Sequence, residues 1–438
     1  MAHTLPMSGP QTRVPSGFRD NRRLPAGEAE GLKDSRSEAR IQGSVGATLL
    51  ALGVGAYSVY DSFFLQATPL DIPVYAIVFT WSLLITFLLF ATGLAQVRIL
   101  SVGIAVILVF SSTLIRVPAQ DPPIPRYVIG DIAVYSLVGI FVIAAATLWR
   151  ERIFSKQSHW MVGLSVIASV VAMMGPRVHG RFESPPVVAI GLVAAMILLL
   201  GGPKRTIVAG SASVGLLLIC LASGNRTSVG LFIVAVAIGL YCRYGTTRFV
   251  VFVSLALTAF GMFVGSGIDP LVTTRQLDFV AETRLIQILD SREDASRESR
   301  LKEASDVLKQ IREGGPAAFT LGFGPGASYQ PRQSLITRNL TTAGTVHHIH
   351  IGPVMFVYRY GLIGLTAFVL LGILGLRCLT NCRRSPNSLT LGEATILMSM
   401  PLYVLELLVF NSTAEPAFAY VVAVSILVVT NSKHPTTQ

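Results

Sequence analysis

The sequence predicts an all-α membrane protein of about twelve transmembrane helices with one large external loop that contains an amphipathic helix. Three observations predict it. Of 438 residues, 52% are hydrophobic and only 13% charged, with a mean hydropathy of +0.61, whereas a soluble domain carries about 25% charged residues. Many apolar runs reach the roughly 18–20 residues that cross a bilayer. The runs are continuous blocks without the alternation of a barrel strand, so the spans are helices that satisfy their own backbone hydrogen bonds. The length alone would suit two or three soluble domains, a prior that the apolar runs displace.

Residues 1–40 are polar and rich in Arg, Gly, Pro and Ser, with no short apolar core and cleavage site near the start. They read as a disordered cytoplasmic tail and not as a signal peptide. Residues 41–266 follow as a transmembrane bundle of about nine helices, with spans at 43–64, 73–95, 99–116, 127–149, 159–174, 186–202, 205–222, 227–242 and 248–266. Residues 267–349 are the long hydrophilic loop. Residues 350–431 hold about three more spans, at 351–376, 388–410 and 415–430, and 432–438 form a second cytoplasmic tail. No repeat of 20–50 residues suggests a solenoid.

Orientation follows from charge. The formal net charge of +11 would suggest nucleic acid in a soluble protein, but in a polytopic one it is the expected excess of Lys and Arg in cytoplasmic loops. With the N-terminus inside, the inner loops hold eleven basic residues: Arg98, Arg150, Arg152, Lys156, Lys204, Arg205, Arg243, Arg248, Arg377, Arg383 and Arg384. The outer loops hold five: Arg116, Arg126, Arg177, Arg181 and Arg226. Both termini are therefore expected in the cytoplasm, and some other role is expected to keep arginines outside. Cys220, Cys242, Cys378 and Cys382 lie in or beside apolar runs, with no disulfide framework or zinc spacing among them.

Inside the long loop, ASRESRLKEASDVLKQIREGG (295–315) places Leu301, Ala304, Leu308 and Ile311 at helical spacing. Gly314, Gly315 and Pro316 stop the helix. Such a helix lies on the bilayer or caps a cavity. The loop ends at TVHHIHIGPVMFVYRYGLIGL (345–365), with His347, His348 and His350 in four positions. A metal site would need further ligands, and no acid lies between Glu313 and the end of the following span. The cluster is otherwise a polar helix entrance or a catalytic base. Pro353 suits the first turn of a helix, so His350 precedes a positive helix end that disfavours imidazolium and leaves a ring able to accept a proton.

Other candidates carry charge or backbone donors. Arg226, in SGNRTSVG (223–230), stands at the outer mouth of a span; it is an interfacial residue or a phosphate clamp. Arg297 and Arg300 begin the loop helix, where a cation opposes the dipole unless an anion is near. LGFGPGAS (321–328) alternates Gly322, Gly324 and Gly326. It lacks the Lys-Ser/Thr of a phosphate loop, and is either a flexible loop or a turn whose amides approach an anion. Glu406 is an ionisable group within a span, which by default faces the bundle interior.

Taken together, these pieces resemble the superfamily of O-antigen ligases and Wzy-type O-antigen polymerases. The resemblance rests on Arg226 in GNRTS, on SRESRLKEASDVLKQI with Arg300 in register, on Gly322-Phe323-Gly324, and on His350, eleven residues before Gly361 of GLIG. It covers about 205–376. Ile351 replaces the Asn that often follows the histidine, and Ala304 a Trp found four residues after the loop arginine. The resemblance implies a multi-pass protein of the bacterial inner membrane with a periplasmic active site. It implies inverting transfer from an undecaprenyl-diphosphate-linked glycan to a glycan or lipid A–core acceptor, with no cofactor, metal or nucleic acid. His350 would be the base. Arg226, Arg300 and Arg297 would hold the donor diphosphate, with His348, Gly322, Gly324 and Glu406 in support. A polytopic transporter or flippase is the alternative, and a scaffold of an export complex a third class.

Overall fold

The computed structural model describes residues 26–64, 71–91, 97–119, 125–147, 153–173, 184–200, 203–223, 226–265, 295–332, 345–347, 349–408 and 416–431. Contacts divide the chain into two units, Met1–Ile41 and Gln42–Gln438. The described residues are helical, with a single antiparallel bridge, Tyr329 to Val346, and no named strand.

Helix α1 (Ala26–Phe64) starts earlier than the sequence suggested. Residues 26–40, expected within a disordered tail, are helical, because AGEAEGLKDSRSEAR is rich in the strong helix formers Ala, Glu, Leu, Lys and Arg. Then come α2 (Asp71–Ala91), α3 (Val97–Ser111) with a 3-10 extension (Ser112–Ala119), α4 (Pro125–Thr147), the single turn α5 (Ile153–Lys156), α6 (Ser158–Ala172), α7 (Val187–Leu198) and α8 (Pro203–Ser223). Helix α9 (Arg226–Gly265) covers both spans expected at 227–242 and 248–266, with Gly245 (φ +78°) breaking it between them. In the loop, α10 (Ala295–Glu313) stops where Gly315 turns to φ +69°, and α11 (Gly315–Leu321) follows. The C-terminal helices are α12 (Gly352–Arg384), α13 (Leu391–Leu407) and α14 (Pro416–Asn431).

Among the described residues, six helical segments are long and apolar enough to cross a membrane: Ile41–Asp61, Ser101–Pro118, Tyr127–Ala146, Thr206–Ser223, Thr227–Thr246 and Gly352–Arg384. Four shorter apolar helices lie at Ala76–Leu88, Ser158–Ala172, Val187–Leu198 and Pro416–Thr430. Large apolar side chains point outward, among them Ile207, Phe87 and Leu376 at 69%, 67% and 67% exposure. Such a surface suits lipid, not water.

Lipid is as apolar as leucine, so close approach of backbones does much of the packing between spans. A Cβ on Gly103 would lie 2.7 Å from the Gly139 carbonyl, so α3 and α4 meet backbone to backbone. A Cβ on Gly191 would overlap Ser399, which lets α7 lie against α13. Helix α13 is the centre of the bundle: it touches α6, α7, α9, α12 and α14, and every residue from Gly392 to Tyr403 is buried. Its start is fixed by a capping box, with the Glu393 amide on the Thr390 hydroxyl and the Thr390 amide on Glu393. Ser155 donates to the same carboxylate at 2.6 Å and ties α5 to this end.

Candidate functional site

The loop helix presents its polar face inward. Glu303, Asp306, Gln310 and Glu313 recur at i, i+3, i+7 and i+10, a single helical stripe, and each holds part of the segment 329–332. Tyr329 donates its hydroxyl to Glu303 (3.1 Å), and Gln310 exchanges two bonds with the Gln330 backbone (2.7 and 3.2 Å). The Arg332 amide donates to Asp306 (2.8 Å), and its guanidinium forks onto Glu313 (2.8 Å twice). That fork holds the Glu313 carboxyl below its ordinary 4.5. The apolar stripe expected at 301, 304, 308 and 311 is split: Ile311 is buried and Ala304 half-buried, while Leu301 and Leu308 are 57% and 52% exposed, and Glu303, Asp306 and Val307 share the buried side. Periodicity found the helix; the partners on the extended segment decided its rotation.

Paired amides and carbonyls of Tyr329 and Val346 (2.9 and 2.8 Å) join the segment after α11 to the stretch that leads into α12. They deliver His350 to Glu303. The Glu303 carboxylate, 0% exposed, accepts from the His350 amide at 3.3 Å and lies 3.1 and 3.3 Å from its Nδ1. A buried carboxylate is costly unless hydrogen-bonded, and this one accepts from the Tyr329 hydroxyl and the His350 amide and lies against the His350 ring. Behind it the chain enters α12 with Pro353 in the first turn, where the sequence put it.

The Gly-x-Gly turn and GLIG are two halves of one joint. Gly361 (φ +58°, ψ −137°) breaks α12 one turn after Tyr358 and Arg359. Their carbonyls accept instead from the amides of Phe323 (2.8 Å) and Gly324 (2.9 Å). A Cβ on Gly322 would collide with the Arg359 backbone, and one on Gly361 with the Thr320 carbonyl. The Gly322 amide bonds Ala318 and the Gly326 amide bonds Asp131. These amides are engaged by the protein, so the anion-cradle reading of Gly322 and Gly324 gives way to a joint between loop and helix. Arg116, one of the outer arginines, donates to the Gly322 carbonyl at 3.1 Å.

Sequence reasoning passed over Asp131 and Arg359, charges within the expected spans and therefore detectable there. Arg359, 5% exposed, donates to Asp131 at 2.7 Å and to the His347 carbonyl at 2.7 Å. The other Asp131 oxygen accepts from the Gly326 amide at 2.6 Å. His347 stacks on Tyr127 with 3.9 Å between ring centroids and 2° between planes. The histidine cluster is therefore divided: His347 turns to α4 and α12, His350 to α10. Glu303 and Tyr329 were also missed. The polar stripe on α10 was the only available signal, because their meeting with His350 depends on the loop's closure.

Asp131, Arg359, His347 and Tyr127 head a cavity of about 630 Å³ between α3, α4, α12 and α14. Aromatic rings of Phe110, Tyr135, Phe356 and Tyr360 line its upper part, followed by aliphatic side chains of α12 and α14 down to Arg377.

Of the remaining candidates, Arg226 is the first residue of α9 and Arg297 lies in the first turn of α10, while their side chains and all of His348 lie outside the described residues. Arg300 is half-buried on α10, and Glu406 is half-buried at the end of α13. No protein-family model and no curated protein matches the chain.

Proposed function

We propose that this protein is an inverting, metal-independent membrane glycosyltransferase that passes a glycan from an undecaprenyl-diphosphate donor to an acceptor hydroxyl, in the manner of an O-antigen ligase or polysaccharide polymerase. It would span the bacterial inner membrane about twelve times, with both termini cytoplasmic and the long loop periplasmic. One observation supports the reading: His347 lines an apolar cavity of about 630 Å³, and three residues further on His350 lies against the Glu303 carboxylate. An apolar lipid chain suits such a cavity, and a histidine ring held on a carboxylate in the same stretch of chain suits proton transfer from a hydroxyl.

In this reading His350 takes the proton as the acceptor oxygen attacks the anomeric carbon. The bond from that carbon to the diphosphate oxygen breaks, and the electron pair leaves with the lipid diphosphate. Arg226 and Arg300, with Arg297, stabilise the charge that develops there; fixed charges aimed at such a site are usually the dominant catalytic contribution. The acceptor is another lipid-linked glycan or a lipid A–core sugar. His350→Ala should lose about 100-fold or more of transfer rate, measured with purified protein, lipid-linked glycan donor and acceptor. A folded variant that transfers at the wild-type rate overturns the assignment.

The buried Asp131–Arg359 pair at the cavity favours a second reading, a transporter or flippase for a lipid-linked glycan, since charges inside spans often mark a transport path. Glycan translocation across proteoliposomes without any glycan extension supports that alternative.

A further inference from the structure

We propose that Glu303 is the positioning residue of His350, selecting the ring tautomer that leaves Nε2 as the proton acceptor; this rests on the reading of His350 as the base. The carboxylate grips the histidine twice, at the amide (3.3 Å) and at Nδ1 (3.1 and 3.3 Å). A carboxylate only accepts hydrogen bonds, so in a neutral ring it selects the tautomer with hydrogen on Nδ1 and the lone pair on Nε2. When Nε2 takes a proton, the imidazolium forms against a negative group already in place. An acid behind a histidine does this work in the hydrolase triad, without taking the proton itself.

Two features separate this role from the general clamp of α10 on the loop. Asp306, Gln310 and Glu313 hold backbone or the exposed Arg332 side chain, whereas Glu303 faces an imidazole and is 0% exposed. The position of Glu303 is itself fixed from behind. Tyr329, also 0% exposed, donates to Oε1 at 3.1 Å, and the Tyr329–Val346 bridge sets the distance from that phenol to the histidine loop. The carboxylate is therefore pinned by one residue of the loop while it aims another.

The experiment measures glycan transfer by Glu303→Gln, Glu303→Asp, His350→Ala and the double variant Glu303→Gln/His350→Ala, with lipid-linked donor and acceptor. Glu303→Gln keeps the shape and an acceptor for Tyr329. It should lower kcat by about 100-fold or more with KM for the donor within about 2-fold. Glu303→Asp, which keeps a carboxylate, should recover at least tenfold of that loss. In the His350→Ala background, Glu303→Gln should cost nothing further, because residues acting as a unit are non-additive. A Glu303→Gln protein within 3-fold of wild type, while His350→Ala is inactive, overturns the positioning role and leaves the base standing. Multiplying losses in the double variant overturn it too, since they mean a structural role. Full activity in His350→Ala overturns both. Should Glu303→Gln not fold, Glu303→Ala and its double variant with His350→Ala give the same cycle.

Discussion

Removing Asp131 should strand Arg359. The carboxylate accepts two short bonds, from Arg359 (2.7 Å) and from the Gly326 amide (2.6 Å), and Arg359 is 5% exposed, with a buried Nε that already has no acceptor among the described residues. In Asp131→Ala, among the described residues, only the His347 contacts remain to the guanidinium. Two charge-assisted bonds at about 1.5–3 kcal/mol each agree with the roughly 3–5 kcal/mol measured when one partner of a buried pair is deleted. Arg359→Met should cost a similar amount. The double variant removes both charges, so its loss should fall short of the sum by about 2 kcal/mol. Reversible unfolding in mixed micelles, followed by tryptophan fluorescence, gives all four corners of the cycle. Losses that add to within about 0.5 kcal/mol would refute the argument that the ion pair, and not each residue's packing, holds α4 to α12.

Gly361→Ala should destabilise by about 1–3 kcal/mol of backbone strain, and hydrogen exchange should rise at the amides of Phe323 and Gly324, which bond the freed carbonyls. Gly372→Ala is the control: it lies on the same helix with nothing within 4 Å of its added Cβ, and should be neutral or mildly stabilising in the same assay. The fork from Arg332 lowers the Glu313 titration. A depressed acid contributes stability above its unfolded value, near 4.5, and loses it as pH falls through the folded one. Arg332→Ala should return Glu313 toward its ordinary titration, read by carbon NMR of labelled glutamate, with no measurable stability change at neutral pH because both groups are exposed.

Six of the roughly twelve expected spans were legible among the described residues, because crossing a bilayer imposes a length and an apolar composition that few other structures need. Pro353 and the Gly315 stop were legible because their covalent chemistry allows few conformations. The loop helix was legible as a helix, but its inward face was not. Leu301 and Leu308 stay exposed while Val307 and Ile311 turn inward, and beside them the partners are a phenol, amides and an imidazole. Gly322 and Gly361 were visible as motifs 39 residues apart, yet their mutual fit exists only in space. Asp131 and Arg359 were visible and undervalued: a charge in an apolar run needs a partner, and each was the other's. Glu303 could not be assigned from spacing, since 47 residues separate it from His350 and a loop of that length closes in many ways.

Gly352–Tyr360, nine residues ahead of the Gly361 break, forms a rigid piece about 13 Å long. One end leads from the histidine loop and packs against Leu407, its flank carries Arg359 into the cavity wall, and its other end is the joint with Phe323 and Gly324. The cavity wall and the His350 loop are thus joined by one short stretch of helix. Were the cavity to take the lipid chain proposed above, that chain would seat against Met355 and Phe356, on the same segment that leads from the His350 loop, and lipid arrival would be coupled to the ring's placement against Glu303.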